Sequence, residues 1–195
     1  MSKAVSARGA TGPICCAIER APCAAGAGAD VFRPMSAPTE GIDGYEITTD
    51  ARRFDLDVIH RYLSEESYWA KGIPREVVAR SVQNSLCFAI LERDGQAQVG
   101  FARVTTDRAT FAYLADVFVL PAHRGRGLSK WLMRVILAHE DLQGLRRWML
   151  ATLDAHELYA GFGFKPLDQP ERFMLRYRRD VYAKTPPVDE PAGGA

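Results

Sequence analysis

The sequence has almost no net charge and no long apolar run. Its 25 lysine and arginine residues are balanced by 24 aspartate and glutamate residues, which leaves a formal net charge of +1 at pH 7. A chain without an excess of one charge has no general electrostatic attraction to nucleic acid or to a membrane surface. No apolar stretch is long enough to cross a bilayer. We therefore expect neither nucleic acid nor a membrane as a partner.

Cysteine is scarce, and most of it lies outside the region that looks folded. Three of the four cysteines, Cys15, Cys16 and Cys23, lie near the N-terminus, and only Cys87 lies in the body of the chain. These spacings predict neither a structural disulfide nor a zinc site, and the four histidines show no ligand spacing. We therefore expect no bound metal and a reducing, cytoplasmic environment.

The two ends of the chain lack the periodic patterns of helices and strands. Residues 1–43 are rich in alanine, glycine, serine and proline, and residues 183–195 contain three prolines. Such segments bury too little apolar surface to offset the entropy of ordering, so we predict that both are disordered. Residues 1–43 lack the apolar core of a signal peptide; a transit-like segment and a natural start at Met35 both stay open. One domain is predicted over residues 44–182.

Short strand patterns alternate with short helical ones across that domain. The patterns predict strands at 45–49, 85–92, 98–106, 110–120, 148–152, 164–167 and 172–179, and helices at 55–63, 74–84, 128–138 and 155–162. The pair Asp94-Gly95 is typical of a hairpin turn, so the second, third and fourth strands should form an antiparallel meander.

The most informative stretch is Val117–Ala138. An apolar strand pattern ends at Pro121, a turn containing Gly125 and Gly127 follows, and an amphipathic helix pattern begins at Leu128. Glycines allow a tight turn and close approach of the backbone to a ligand. The N–H groups at a helix start lack intrahelical partners, and the helix dipole adds positive charge. Together with two nearby arginines, this arrangement predicts a diphosphate site.

Two familiar diphosphate motifs do not fit this stretch. The lysine and serine or threonine that end a P-loop are absent after Gly127, and the third glycine of the dinucleotide-binding fingerprint is also absent. What remains is Arg124-Gly-Arg-Gly127-Leu-Ser129, which resembles motif A of the GNAT superfamily of acyl-CoA-dependent N-acyltransferases, with Ser129 where the family prefers glycine or alanine. Downstream, Leu158-Tyr159-Ala-Gly-Phe-Gly163-Phe164 resembles the family's Leu-Tyr-x-x-x-Gly-Phe element. An arginine-glycine surface turn is the alternative interpretation of the first motif.

The resemblance implies an α/β (α+β) fold with a central mixed, mostly antiparallel sheet flanked by helices on both faces. It implies acetyl-CoA as co-substrate. Its diphosphate would be held by the turn and helix start, and its pantetheine arm by backbone atoms of the preceding strand. The residues that match these positions are Phe118, Val119, Arg124, Gly125, Arg126, Gly127, Leu128, Ser129 and Lys130. The side chains of Phe118 and Val119 could equally be core.

The chemistry needs a proton acceptor for the amine and a proton donor for the departing thiolate. Tyr159 occupies the family's tyrosine position near the thioester sulfur; it would act as the acid, or only hydrogen-bond the sulfur. Asp116 is the one acid within 113–120; it would act as the base, or bond a loop backbone instead. Asp107 is a weaker candidate. The family's asparagine before the tyrosine is missing, so Thr152 or Asp154 would replace it.

The first two helices of the family and their connection form one wall of the acceptor site. Tyr68 and Trp69 lie in that connection and are therefore the candidate substrate contacts, unless they cap the core. These features predict an N-acetyltransferase that acts on a primary amine, a small molecule rather than a protein lysine, by direct attack in a ternary complex. The alternative is a non-catalytic acyl-CoA sensor that keeps the diphosphate site alone. The sequence leaves a homodimer open.

Overall fold

The computed structural model describes residues 41–178 and 180–182. The predictions of disorder for residues 1–40 and 183–195, and the questions about Met35, lie outside this range. Nine main elements follow one another: β1 Tyr45–Thr48, α1 Leu56–Arg61, α2 Arg75–Gln83, β2 Leu86–Glu92, β3 Gln98–Thr106, β4 Phe111–Val119, α3 Leu128–Ala138, β5 Arg147–Met149 and α4 His156–Ala160. Among the described residues, no helix combines the length and apolar character needed to span a bilayer.

The five strands form one sheet in the order β1-β2-β3-β4-β5. Neighbouring strands from β1 to β4 are antiparallel, and β4 and β5 are parallel. The parallel pair is possible because α3 lies between β4 and β5 in the chain and provides the crossover that parallel strands require. The predicted mixed, mostly antiparallel sheet is therefore confirmed.

Both faces of the sheet are covered by helices, because the strands alternate which side chains they bury on each face. On one face, α3 packs Trp131, Leu132, Met133 and Ile136 against strand residues such as Phe88. On the other face, α1 and α2 contribute Ile59 and Val78 to a second cluster that contains Cys87, Phe101 and Phe118. Cys87 is a free, buried thiol, and burial raises its pKa to about 12. The predicted helix layers on both faces are confirmed.

The predicted strands after α4 are wrong for this structure. Residues 164–167 and 173–178 carry no strand, and β5 ends at Met149 rather than at Thr152. Pro170–Arg172 forms a short helical turn, whose carbonyls at Gln169 and Pro170 accept the amides of Arg172 and Phe173. The alternating pattern that follows this turn forms no strand over residues 173–178.

Candidate active site

The sheet opens between β4 and β5. Three residue pairs join these strands, Phe111 with Arg147, Ala112 with Trp148 and Tyr113 with Met149. Beyond Tyr113, β4 continues to Val119 while β5 has ended. The side of β4 that faces away from β3 is therefore without a strand partner along its second half, within the residues that the structure describes. This opening is the gap in which the candidate site lies.

A bulge in β4 lies at the start of the gap. The pairing register shifts between Phe101 opposite Phe118 and Arg103 opposite Ala115. Asp116 provides the extra residue and has a left-handed backbone with φ of 54°. Aspartate tolerates this conformation better than most residues, and bulges of this kind redirect side chains near functional sites. The bulge turns the Asp116 carboxylate toward the wall described below.

The end of β4 leads into the glycine-containing turn that was predicted to bind a diphosphate. Gly125 and Gly127 have φ of 77° and 81°, in the region where glycine is least strained. Gly127 is the N-cap of α3 and provides no side-chain cap, and its carbonyl accepts the first helical bond, from Trp131 N. The amides of residues 128–130 are therefore free of intrahelical partners. They open onto a groove of about 360 Å³ that is lined by Val119, His123, Arg124, Gly125, Gly127, Leu128, Ser129 and Lys130.

Sequence reasoning missed one residue of this groove and included one that points elsewhere. His123 lines the groove, and its Nδ1 lies 3.0 Å from the hydroxyl of Tyr45. The Arg126 guanidinium donates to that same hydroxyl at 3.1 Å and is not among the lining residues. A histidine before an arginine-glycine turn carries no signal of its own, so only the structure could show its position.

Arg124 spans the groove and the gap. Its Nε donates to the carbonyl of Val119 at 2.9 Å, and its Nη2 donates to the hydroxyl of Tyr62 at 3.1 Å. The Tyr62 ring stacks on Phe118 with centroids 3.9 Å apart. The arginine is therefore held at the junction where the turn meets the open side of β4.

The backbone groups of Val119 and Phe118 face opposite sides of β4. The amide of Leu120 donates to Val99 in β3, and backbone groups of an antiparallel strand alternate between its two sides. The backbone of Phe118 therefore faces β3, and the carbonyl of Val119 faces the gap, where Arg124 reaches it. Of the two strand residues predicted to act through backbone atoms, only Val119 is oriented to do so.

Tyr68 and Trp69 form a wall across the gap. The Tyr68 hydroxyl accepts from Leu153 N at 2.8 Å and donates to Asp154 Oδ1 at 3.3 Å. Trp69 Nε1 donates to Asp116 Oδ1 at 3.2 Å, and the two aromatic rings are edge-to-face at 5.0 Å. Side chains of the α1–α2 connection thus contact both β4 and the segment that precedes α4. They do not cap the core, since both are exposed.

Asp116 is held by an ion pair that the sequence did not predict. Arg103 Nε donates to Asp116 Oδ2 at 2.6 Å, and the two side chains are 19% and 10% exposed. With Trp69 on the other oxygen, both oxygens of the carboxylate accept hydrogen bonds. Asp116 was predicted to be the base. A carboxylate paired in this way can instead hold Trp69 in place.

Tyr159 lies in α4 and is buried in the α3 face of the core. Burial raises the pKa of its hydroxyl to about 12, and the neighbouring Tyr68 hydroxyl and Asp154 carboxylate act in the same direction. The phenol therefore keeps its proton at neutral pH and is available as a hydrogen-bond donor. Thr152, the other residue suggested in place of an asparagine, accepts from Ala155 N at 3.0 Å and so helps to start α4.

Asp107 lies in the β3–β4 turn and has a structural role there. Its Oδ1 accepts the amides of Ala109, Thr110 and Phe111, and its Oδ2 accepts the Thr110 hydroxyl. These hydrogen bonds lower the pKa of the Asp107 carboxyl well below its usual value. The weaker candidate for the base is therefore a turn residue. Within residues 41–178 and 180–182, no group of histidine, cysteine, aspartate and glutamate side chains could hold a metal.

Comparison with known proteins agrees with the geometry. The family described as Acetyltransferase (GNAT) domain matches residues 84–166. FG08082 of Gibberella zeae, provisionally named an acetyltransferase, is 33% identical over 117 residues. That match covers 51% of this chain and 65% of the fungal protein, so the chain spans less than two thirds of that relative's length.

Solved structures give the same answer. A protein of Xanthomonas campestris pv. campestris, provisionally named an acetyltransferase of the GNAT family, is 51% identical with a TM-score of 0.70, and the alignment covers 74% of this chain and all of that one. A Mycobacterium tuberculosis protein crystallised with CoA shares the fold, with 22% identity, a TM-score of 0.50 and coverage of 63% and 73%. The matched domain, the relative at half identity and the split sheet agree: the chain belongs to the GNAT family of acetyltransferases.

Proposed function

We propose that the protein transfers an acetyl group from acetyl-CoA to a primary amine by direct attack in a ternary complex, and that the amine is a small molecule rather than a protein lysine. The observation that carries the proposal is the meeting of two helix layers in the gap. Tyr68 comes from the connection on the α1–α2 face, whereas Asp154 and Tyr159 belong to the α4 side, and they approach one another where β4 and β5 diverge.

The diphosphate of acetyl-CoA fits the groove, and its pantetheine arm fits the gap. The diphosphate would lie on the free amides of residues 128–130, with Arg124, Lys130 and His123 supplying positive or hydrogen-bonding groups. The pantetheine arm has amide groups, so it can pair with the open side of β4 at Val119 as an added strand would. Arg124 would leave the Val119 carbonyl for the diphosphate when the arm binds. The Mycobacterium tuberculosis protein of this fold, crystallised with CoA, supports the choice of ligand.

The acceptor would enter beside Asp154. This carboxylate is in none of the ion pairs of the described residues, and it lies close enough to the Tyr159 hydroxyl to raise the pKa of that hydroxyl. An alkylamine is mostly charged at pH 7 because its pKa is about 10. We infer that Asp154 attracts the ammonium group and takes its proton, directly or through water, while Asp116 positions Trp69. The aromatic wall favours a small amine.

Tyr159 would stabilise the departing thiolate. Its pKa of about 12 lies well above the ~8.5 typical of a thiol, so complete proton transfer from the phenol is uphill. A hydrogen bond donated to the sulfur needs no such transfer and still lowers the barrier. We therefore propose that Tyr159 donates a hydrogen bond, and that the proton released by the amine finally neutralises the thiolate.

An assay of CoA release tests the proposal. The full chain is incubated with acetyl-CoA and a panel of small primary amines, and a lysine-containing peptide serves as the comparison. We expect turnover with at least one small amine and intersecting initial-velocity lines when both substrates are varied. Tight acetyl-CoA binding without turnover on any amine would favour the sensor instead. Parallel lines would exclude direct attack in a ternary complex.

We propose that the protein is cytoplasmic and uses no metal. We also propose that it binds neither nucleic acid nor a membrane, because its balanced charge offers no general attraction to either surface. Unchanged turnover after exhaustive treatment with a chelator tests the first point. A DNA or RNA shift assay at low salt, where phosphate contacts are strongest, tests the second.

A further inference from the structure

Arg126 and Tyr45 belong to a chain of hydrogen bonds that ends at the groove before α3. Arg126 Nη1 donates to the Tyr45 hydroxyl at 3.1 Å, and that hydroxyl lies 3.0 Å from Nδ1 of His123. His123 is the last residue of the short helical turn after β4, and it lines the groove. The contacts therefore run from an arginine that does not line the groove, through a tyrosine of β1, to a histidine that does.

Tyr45 is held firmly in the sheet. It is 4% exposed and belongs to the core cluster on the α3 face. It pairs with Glu92 of β2, and its carbonyl accepts from Arg93 Nε at 3.0 Å. The His123 ring meets the Tyr45 ring edge-to-face, with centroids 5.9 Å apart. The hydroxyl therefore has a fixed position, from which it sets the orientation of the histidine ring.

The hydrogen bonds decide which nitrogen of the His123 ring carries the proton. A guanidinium can only donate, so the Tyr45 oxygen accepts from Arg126. The single proton of this buried hydroxyl then needs an acceptor, and among the described residues His123 Nδ1 is the acceptor within hydrogen-bond distance. A neutral ring that accepts at Nδ1 carries its proton on Nε2.

The nearby carboxylate of Glu92 does not remove the proton from Nε2. Its Oε1 lies 3.7 Å from His123 Nδ1, which is beyond hydrogen-bond distance. This carboxylate would stabilise a charged ring, in which both nitrogens carry protons. Nε2 is therefore a donor whether the ring is neutral or charged. The His123 side chain is 18% exposed, and its contacts with polar groups of the described residues are all made through Nδ1, so Nε2 is available to a ligand.

We propose that His123 donates a hydrogen bond from Nε2 to a diphosphate oxygen of acetyl-CoA, and that Arg126 and Tyr45 position the ring by directing the hydroxyl proton at Nδ1. The groove already offers free amides, Arg124 and Lys130, and a further donor suits the same anion. This role rests on the proposed function, because the ligand is its cofactor. It gives Arg126 an indirect part in cofactor binding.

Nuclear magnetic resonance of the full chain, labelled with ¹⁵N-histidine, tests the proton position without any cofactor. At pH 8, the long-range ¹H–¹⁵N spectrum should show the His123 ring protonated on Nε2 alone; its signals are those that His123→Asn lacks. Tyr45→Phe should move part of the population to Nδ1, the nitrogen nearest Glu92. A wild-type ring protonated on Nδ1, or a ring that Tyr45→Phe leaves unchanged, would overturn the proposal.

Calorimetric titration with acetyl-CoA tests the contact itself. His123→Asn, whose shorter amide does not reach the position of Nε2, should raise Kd about tenfold, the effect of one lost hydrogen bond to a charged group. His123→Gln, whose amide can donate from that position, should stay within about threefold of wild type. The loss in His123→Asn should persist with acetyl-CoA that lacks its 3′-phosphate. A loss that disappears with this shortened cofactor would contradict the diphosphate contact.

A double-mutant cycle tests the positioning roles. Tyr45→Phe and Arg126→Met should each raise Kd for acetyl-CoA about threefold, and neither should add to the loss in His123→Asn, because both act through that ring. Additive losses would show that Arg126 contacts the cofactor directly and would overturn its positioning role. If the wild type does not bind acetyl-CoA, the proposed function fails as well. If it binds and His123→Asn binds equally well, only the role of His123 is overturned.

Discussion

At the scale of single residues, burial decides the character of Tyr159. The hydroxyl lies within the core beside Tyr68 and Asp154, so its ionised form is disfavoured. A hydroxyl in this environment keeps its proton over the whole physiological range of pH. The hydrogen bond that we propose it donates to the sulfur would be stronger than at a surface, because it would not be shared with water.

Removal of the Tyr159 hydroxyl should affect the chemical step more than cofactor binding. We expect Tyr159→Phe to lower kcat by about a hundredfold, the lower end of the usual range for loss of one hydrogen-bond donor to a developing charge, with KM for acetyl-CoA within about twofold of wild type. Tyr113→Phe is the control, because the Tyr113 hydroxyl has no hydrogen-bond partner among the side-chain bonds of the described residues. Equal losses in kcat and acetyl-CoA affinity would make Tyr159 a binding residue.

The pKa of Tyr159 predicts how the protein behaves at high pH. The folded-state pKa of about 12 is above the ~10 expected for an unfolded chain, so the neutral phenol is the form that folding favours. The associated stability is fully present below pH ~10 and is lost as the pH rises from ~10 to ~12. In a spectrophotometric titration, the wild type should show one phenolate signal near pH 12 that Tyr159→Phe does not show. If the wild type and the variant differ near pH 10 instead, the buried position of Tyr159 is contradicted.

The pair formed by Arg103 and Asp116 should contribute more to stability than a surface pair. Arg103→Met leaves the Asp116 carboxylate, 10% exposed, without its cation, which should lower the free energy of unfolding by about 3 kcal/mol. Arg75→Met breaks a pair whose side chains are 54% and 77% exposed and should cost less than ~1 kcal/mol. Urea unfolding of the two variants measures both values. Similar losses would show that Asp116 is better solvated than the structure indicates.

At the scale of elements, the turn before α3 combines a required backbone with a binding surface. Gly127 has a φ of 81° and caps the helix whose free amides line the groove. The position of this turn in the chain was predictable, because arginines, glycines and an amphipathic helix pattern occur together in the sequence. The direction of the side chains was not: Arg124 and Arg126 look equivalent in the sequence, yet they bind different tyrosines.

Gly127→Ala should weaken acetyl-CoA binding at least tenfold. The added methyl group strains a left-handed backbone by roughly 1–2 kcal/mol and shifts the amides away from the diphosphate. Gly144→Ala is a matched control, because Gly144 has a φ of 72° and open space around its α-carbon but lies outside the groove. Isothermal titration of both variants with acetyl-CoA separates an effect of backbone strain alone from an effect on the binding site. An equal effect of the two substitutions on affinity would contradict the site.

Sequence patterns predict the local elements of this fold but not the contacts between its strands. The meander and the motif helix were predicted because hydrophobic period and turn residues determine them locally, whereas the helix layers on both faces were expected from the family resemblance. The bulge at Asp116 and the ion pair with Arg103 were not, because both depend on contacts between strands. The strand predicted at 172–179 was wrong although its residues alternate, because alternation alone cannot say whether a segment finds a partner strand.

At the scale of the whole molecule, the chain brings distant segments together at one gap. β4 supplies Val119 and Asp116, the α1–α2 connection supplies Tyr68 and Trp69, and the α4 region supplies Asp154 and Tyr159. None of these groups is near the others in the sequence except within its own segment. The family resemblance could name several of them, but only the folded chain shows that the aromatic wall contacts both sides of the split sheet.

A crystal structure of the protein with acetyl-CoA tests the central claim most directly. We predict the diphosphate on the amides of residues 128–130, Arg124 moved from the Val119 carbonyl to a phosphate oxygen, and the thioester sulfur within hydrogen-bond distance of the Tyr159 hydroxyl. The account is contradicted if Arg124 keeps its bond to Val119 while the cofactor lies elsewhere, or if the sulfur lies away from Tyr159.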